Sequence, residues 1–252
     1  MKRLTNAIVR KPGNNFPNGI SSSGLGKPSV EKALKQHKAY YNTLKQCGLN
    51  VQILEADKNY PDGCFVEDTA VITDNMAVIT KPGDPARLGE EKKIEEILKN
   101  HKKIKTIELP GNVDGGDIFR VDNHFYIGIS GRTNEEGARQ LTEILSNYGY
   151  TSSKIPVKSF LHLKTGVACI GGKHILSIDK FAEFFSSFNV VKVEPDEQYA
   201  ANCLLINDFL LVPAGFPKTK QKLMNLGYDI IEIEMSEFQK MDGGLTCLSL
   251  LF

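Results

Sequence analysis

TAVITDNMAVITKPGDPARLGEEKKIEEIL (Thr69–Leu98) and GDIFRVDNHFYIGISGRTNEEGARQLTEIL (Gly116–Leu145) share one plan. Each runs apolar strand, Asp-Asn turn, second apolar strand, glycine-containing loop, amphipathic helix. Asp and Asn tolerate the left-handed backbone that a tight hairpin needs, so the turn chemistry agrees with the alternation on either side. NCLLINDFLLVPAGFPKTKQKLMNLGYDIIEI (Asn202–Ile233) repeats the plan around Asn207-Asp208, and TGVACIGGKHILSI (Thr165–Ile178) repeats the hairpin around Gly171-Gly172.

The same pattern reaches the start of the chain. AIVRKPG (Ala7–Gly13) reads as the second strand and loop of a unit, and SVEKALKQHKAYYNTLKQCG (Ser29–Gly48) supplies its helix, with Ser29 as N-cap and Gly48 as stop. The missing strand of that unit is then the C-terminal LTCLSLLF (Leu245–Phe252). About five strand–strand–helix–strand units fit the chain. The predicted fold is a five-fold pseudosymmetric α/β-propeller, residues 1–252 forming one domain, with the last strand closing the ring. The competing reading is an ordinary α/β sandwich with two or three hairpins alike by chance.

Composition narrows the function. At 41% hydrophobic and 24% charged residues, the chain can bury a sizeable core. The net charge of +1, from 31 basic and 30 acidic residues, leaves no electrostatic footprint for nucleic acid or a membrane surface. MKRLTNAIVRKPG at the N-terminus lacks the apolar core of a signal peptide. No stretch approaches the roughly 18 apolar residues of a transmembrane helix. Cys47, Cys64, Cys169, Cys203 and Cys247 are scattered, odd in number and never arranged as CxxC, which argues against a disulfide framework or a cysteine-rich zinc site. The expectation is a reduced, cytoplasmic protein.

Several residues carry chemistry. In DGGLTCLSLLF, Cys247 stands between a paired-glycine turn and an apolar run, either as packing in a buried strand or as a nucleophile held by ring closure. In FLHLKTG, His162 sits inside an apolar strand, as a core residue or as a general acid and base. PGNVDGGDIF places Asp114 and Asp117 around two glycines, as a polar turn or as an orienting carboxylate. PDGCFVEDTAVI packs Asp62, Glu67 and Asp68 close together, the last two at the start of an apolar strand. A buried carboxylate demands a cation, and a guanidinium suits it through paired hydrogen bonds. That guanidinium belongs either to a protein arginine or to a substrate. Arg87 and Arg132 occupy corresponding loops of two repeats, so pseudosymmetry brings them to one end of the ring, where they hold one carboxylate or simply face solvent. Together the set is complementary to an arginine-like amino acid.

The sequence closely resembles the dimethylarginine dimethylaminohydrolases, within the guanidino-group-modifying (pentein) superfamily. The likeness runs along nearly the whole chain through SSGLGKPSVEKALKQH, PDGCFVED, the KPG…R…GE loop, GDI…HFYIG…RTNEEGA, LHLKTG, YAANC and DGGLTCLSLLF. The resemblance implies Cys247 as nucleophile, His162 as general acid and base, and Asp114 as third member, where relatives carry Asp or Glu. It implies Glu67 and Asp68 as the guanidinium pair, and Arg87 and Arg132 as clamps on the substrate carboxylate. Ile20, Asp62 and Met241 match contacts to the α-amino group, Ile20 and Met241 through backbone carbonyls. The implied reaction hydrolyses Nω-methylated arginines to citrulline and an amine through a covalent thiouronium, with no organic cofactor and no metal. The implied partner is a small-molecule substrate, and the protein is expected as a monomer or homodimer. The rivals are arginine deiminase chemistry, a non-catalytic arginine-binding module that would need no thiol and imidazole, and a cysteine protease, which has no use for the acid pair and twin arginines.

Overall fold

The protein, seen in a computed structural model that describes residues 3–252, is a ring of five small three-stranded sheets. The first two residues of the 1–252 domain expectation lie outside the described residues. The chain enters through β1 (Asn6–Arg10), α1 (Val30–Gln46) and β2 (Asn50–Leu54). The second unit is β3 (Ala70–Ile72), β4 (Met76–Ile79), α2 (Glu91–Leu98) and β5 (Lys103–Thr106). The third is β6 (Ile118–Val121), β7 (His124–Ile129), α3 (Glu135–Ser146) and β8 (Thr151–Pro156). The fourth is β9 (Val167–Gly171), β10 (His174–Ser177), α4 (Asp179–Ala182) and β11 (Asn189–Lys192). The fifth is β12 (Leu204–Ile206), β13 (Phe209–Pro213), α5 (Pro217–Asn225) and β14 (Asp229–Ile233), followed by α6 (Ser236–Gln239) and β15 (Leu250–Leu251).

Every sheet has one design: a hairpin pairs the first two strands antiparallel, and the helix returns the third parallel to the second. Asp122 (φ 52°) and Asn207 (φ 53°) adopt the left-handed conformation in their hairpins, as the turn chemistry predicts. In the first sheet β15 takes the hairpin's place. It pairs antiparallel with β1 in the register Ala7↔Leu251 and Ile8↔Leu250, so the C-terminal strand closes the ring. Asn207 also latches the closure, accepting from Leu4 N and donating to the carbonyls of Leu4 and Cys47.

Helices cover the outside. In α1, Ser29 accepts from Lys32 N as N-cap, and Ala33, Gln36, His37, Tyr40, Thr43 and Leu44 form the buried stripe at helical spacing. The cores run between sheets rather than within them. Ile8 and Leu250 pack with Ala70, Ala77 and Ile79 of the next sheet. Met76 and Val78 pack with Phe125 and Ile127. Phe119, Leu176 and Leu210 join the third, fourth and fifth sheets, while Leu211 and Ile233 return to Ala7 and Val9. Each fully buried aliphatic side chain contributes roughly 1.5–3 kcal/mol. Among the described residues, no helix is long and apolar enough to cross a membrane.

Three local expectations are corrected. Glu67 and Asp68 lie not in a strand but in a 3-10 turn, Val66–Thr69, that runs directly into β3. Thr69 Oγ1 bonding Val66 O, and Thr80 Oγ1 bonding Asp68 O, hold the turn, and both acids point inward from it. His162 is likewise outside any strand, at the start of the 3-10 turn Leu163–Thr165. The final strand is only Leu250–Leu251, because Thr246–Leu248 form a further 3-10 turn that lifts Cys247 off the sheet.

Candidate active site

Three short turns from different units converge at one end of the ring. Val66–Thr69 brings Glu67 and Asp68, Leu163–Thr165 follows His162, and Thr246–Leu248 carries Cys247. A fourth, Gly115–Asp117, follows Asp114. Short 3-10 turns suit this task, since each ends a strand connection and aims a side chain off the sheet.

The imidazole is held by carboxylates. His162 Nε2 lies 3.0 Å from Asp114 Oδ2 and 4.0 Å from Asp68 Oδ1. Burial pulls the His162 pKa down, but Asp68, Asp114 and Asp117 outweigh it and raise it to about 9, so the ring is an imidazolium at neutral pH. Asp114 is fully buried; its Oδ1 accepts from Gly83 N at 2.7 Å. The glycine pair behind this contact is demanded by space. A Cβ at Gly116 would stand 2.5 Å from His162 Nδ1, and one at Gly115 would stand 2.0 Å from Glu67 O.

The acid pair is partnered inside the protein. Asp68 Oδ2 accepts from Arg87 Nη1 at 2.6 Å and its Oδ1 from Gly116 N at 2.9 Å. Burial pushes Asp68 up, but the His162 imidazolium and the Arg87 guanidinium pull it down to about 2. Glu67 Oε1 accepts from Lys164 Nζ at 2.5 Å and Oε2 from Thr246 Oγ1 at 2.8 Å, while burial holds its pKa above the ordinary carboxylate value.

The thiol is set by its own turn. Gly244 N donates to Cys247 Sγ at 3.3 Å, Tyr40 donates its hydroxyl to Leu245 O, and Tyr199 donates to Gly243 O. The main chain of Phe252 is bonded to Asn6 in both directions, so the C-terminal segment is anchored. Burial, then the charges of Glu67 and Asp68, push the Cys247 thiol up to about 12. Beside these protein charges alone the pair is a neutral thiol and a cationic imidazole.

Cys247 and His162 both line one cavity of about 300 Å³, with Glu67, Lys164, Asn202 and Thr246. A small side pocket of about 30 Å³ adjoins it at the same two residues. That side pocket gathers Ile20, Asp62, Asp68, Arg87, Arg132 and Met241, which the sequence scatters over the first and last thirds of the chain and its middle. Asp114 lies behind His162. Asp62 accepts from Ile20 N through both carboxylate oxygens, at 3.2 and 3.0 Å. The two arginines differ sharply. Arg87 is 4% exposed and bonds Glu90, Asp68 and Phe65 O, whereas Arg132 makes looser contacts of 3.5 Å to Asp84 and 3.7 Å to Asp114.

This geometry, a thiol, an imidazolium and Glu67 on one cavity with Asp68 and two arginines on the adjoining pocket, accompanies clear relatives. The family model for eukaryotic N,N dimethylarginine dimethylhydrolase matches residues 12–184. The N(G),N(G)-dimethylarginine dimethylaminohydrolase of Pseudomonas aeruginosa is 43% identical over 249 residues, covering 97% of this chain and 98% of that protein. The chain belongs to the dimethylarginine dimethylaminohydrolase family. A solved structure of the Pseudomonas family member, a cysteine-to-serine mutant in complex with citrulline, superposes with a TM-score of 0.98 at 42% identity, covering 99% of this chain and 100% of that one. The N-terminal domain of ArgZ, a cyanobacterial arginine dihydrolase, shares the fold at a TM-score of 0.89 and 20% identity, covering 99% of this chain and 97% of that one.

Three polar residues of the site have no assigned role in the sequence reading, and a fourth, Asp117, is left there as a turn or an orienting carboxylate. Lys164 and Asn202 fall inside LHLKTG and YAANC, and Thr246 precedes the cysteine. Asp117, fully buried, accepts from Ser130 Oγ and Leu163 N and stands beneath the imidazole with its pKa pushed up to about 6 by burial. The DGGD run marks Asp117 as unusual, but only the fold shows what it touches.

Proposed function

We propose that this protein hydrolyses Nω-methylated arginines, asymmetric dimethylarginine and monomethylarginine, to citrulline and dimethylamine or methylamine through a covalent intermediate on Cys247. The observation that carries this reading, for a chain of this family, is a thiol and an imidazolium on one acid-lined cavity.

Charge decides the order of events. The acids that keep Cys247 protonated in the empty site are those a guanidinium would neutralise. Substrate binding therefore lowers the thiol pKa, and the thiol proton leaves to solvent. The thiolate attacks the guanidinium carbon. His162, already protonated, gives its proton to the departing nitrogen as that carbon–nitrogen bond breaks. The amine leaves and a thiouronium remains on Sγ. Neutral His162 then takes a proton from water, whose oxygen attacks the same carbon. The carbon–sulfur bond breaks, citrulline departs, and the thiolate regains a proton once no substrate cation stands between it and the acids. Asp114 orients the imidazole and stabilises its charged form. At the other end, Arg132, with Arg87 behind it, holds the substrate carboxylate. Ile20, Asp62 and Met241 receive the α-amino group.

Every group in this scheme comes from one chain, so a monomer suffices and a homodimer would carry two complete sites. Residues 1–252 act as one catalytic domain, because neighbouring sheets share their cores round the ring. Five free cysteines suit a reducing, cytoplasmic setting.

The test offers arginine, monomethylarginine and asymmetric dimethylarginine separately and identifies the released amine. Dimethylamine and citrulline from the last substrate are expected, and Cys247→Ser abolishes both while keeping the fold. Ammonia from arginine as the preferred reaction would transfer the protein to deiminase chemistry. Citrulline released by Cys247→Ser would remove the nucleophile.

A further inference from the structure

Asn202 is 5% exposed, and every hydrogen bond of its side chain goes to the turns that carry His162 and Cys247. Its Oδ1 accepts from Thr246 N at 3.0 Å. Its Nδ2 donates to Lys164 O at 2.8 Å and to Thr246 Oγ1 at 3.1 Å. The amide orientation is forced, since a backbone carbonyl only accepts and a backbone N–H only donates. Thr246 precedes the thiol by one residue, and Lys164 follows the imidazole by two. Thr246 Oγ1 passes its own hydrogen to Glu67 Oε2, and Lys164 Nζ bonds Glu67 Oε1. The four residues Asn202, Thr246, Glu67 and Lys164 thus form a closed ring of hydrogen bonds, with sulfur on one side and imidazole on the other.

We infer that Asn202 is a positioning residue that fixes the separation of the nucleophile turn from the acid–base turn. Its carboxamide cross-links the two turns directly, across 38 residues to Lys164 and 44 to Thr246, and touches neither reacting atom. Glu67 acts in the same ring, so the spacing of the turns and the placement of the guanidinium-binding acid are set together. Asp cannot replace Asn here. It keeps the volume and the acceptor for Thr246 N, but it sets a carboxylate oxygen against the Lys164 carbonyl and loses both donated bonds. The inference rests on the proposed hydrolysis for its catalytic readout, so a second readout is independent of turnover.

The experiment compares wild type, Asn202→Asp, Asn202→Ala, Thr246→Val and the double variant Asn202→Ala/Thr246→Val. Turnover of asymmetric dimethylarginine is expressed per Cys247 that iodoacetamide can alkylate, counted by peptide mass. A loosened reactive geometry of about 1 Å costs on the order of 100-fold. The expected result is a fall of that order in kcat for Asn202→Asp and Asn202→Ala, with a smaller change in KM. The double variant is expected to be little worse than Asn202→Ala, because both substitutions break one ring. By hydrogen exchange, residues 163–166 and 244–248 speed up together in Asn202→Asp while the five sheets keep their protection. A loss that disappears on normalising to alkylatable Cys247, multiplicative losses in the double variant, or unchanged exchange in both turns would each overturn the inference. A wild type without turnover would sink the hydrolase reading alone, and the exchange result would still decide the clamp.

Discussion

Arg87 Nη1 and Asp68 Oδ2 stand 2.6 Å apart, so the arginine read as a carboxylate clamp is already bonded to an acid read as a guanidinium holder. The same guanidinium bonds Glu90 and Phe65 O, and its side chain is 5% exposed against 14% for Arg132. Two pseudosymmetric arginines have therefore diverged in their tasks.

Removing them should have different consequences. Arg87→Leu leaves Asp68 and Glu90 buried without their cation, a change worth about 3–5 kcal/mol of stability. Arg132→Leu should raise KM with little effect on unfolding. Denaturant titration of both variants decides the matter; equal stability losses would restore the two arginines as equivalents.

The thiol should respond to a bound cation. With its pKa up at about 12, Cys247 in the empty protein is expected to react with iodoacetamide faster with every step in pH through the alkaline range. A guanidinium compound short enough to leave Sγ accessible should shift that reactivity to lower pH. Alkylation rates with and without such a ligand measure this. A rate already level at neutral pH would show a preformed thiolate.

Asp114→Asn tests the imidazolium. His162 at about 9 keeps its proton through neutral pH, and the proposed reaction needs that proton, so its loss should show as an alkaline limb of the rate. Without the Asp114 charge the limb should move toward neutrality by about one unit, and kcat should fall. The raised pKa also adds stability that is complete below the ordinary 6.5 and lost as pH rises through about 9. An unmoved alkaline limb would mean that Asp114 does not set the proton.

Lys164→Met removes the cation on Glu67. Burial already raises the Glu67 pKa, and Lys164 opposes it. The carboxylate should then protonate at higher pH, so KM should climb steeply as pH falls below neutrality. A KM profile parallel to wild type would exclude Lys164 from guanidinium binding.

Gly116→Ala is the steric counterpart. The added Cβ would fall 2.5 Å from His162 Nδ1, too close to tolerate, and a tight 3.1 Å from Asp68 Oδ1. The imidazole must shift, and a fall in kcat of at least tenfold is expected with the ring of sheets intact by circular dichroism.

The propeller was readable because its information is local. Asp-Asn and Gly-Gly turns between alternating strands recur, and Ser29 announces α1. The turns that build the site were not readable in the same way. Glu67 and Asp68 sit beside the β-forming run Thr69–Ile72 and read as strand, yet the Thr80 hydroxyl and the Arg87 guanidinium, distant in sequence, fix them in a 3-10 turn. His162, inside the apolar FLHL run, reads as a strand residue for the same reason. Resemblance points to Cys247 and His162, but Lys164 and Asn202 acquire meaning only from partners in other units, which no local pattern encodes.

The shared cores between neighbouring sheets have a mechanical corollary. A wedge removed from this molecule would bare apolar faces on both flanking wedges, as a stone pulled from an arch leaves two unsupported sides. The circle offers no end at which loss of structure can begin cheaply, and damage anywhere on it should reach Cys247 and His162 together rather than one before the other.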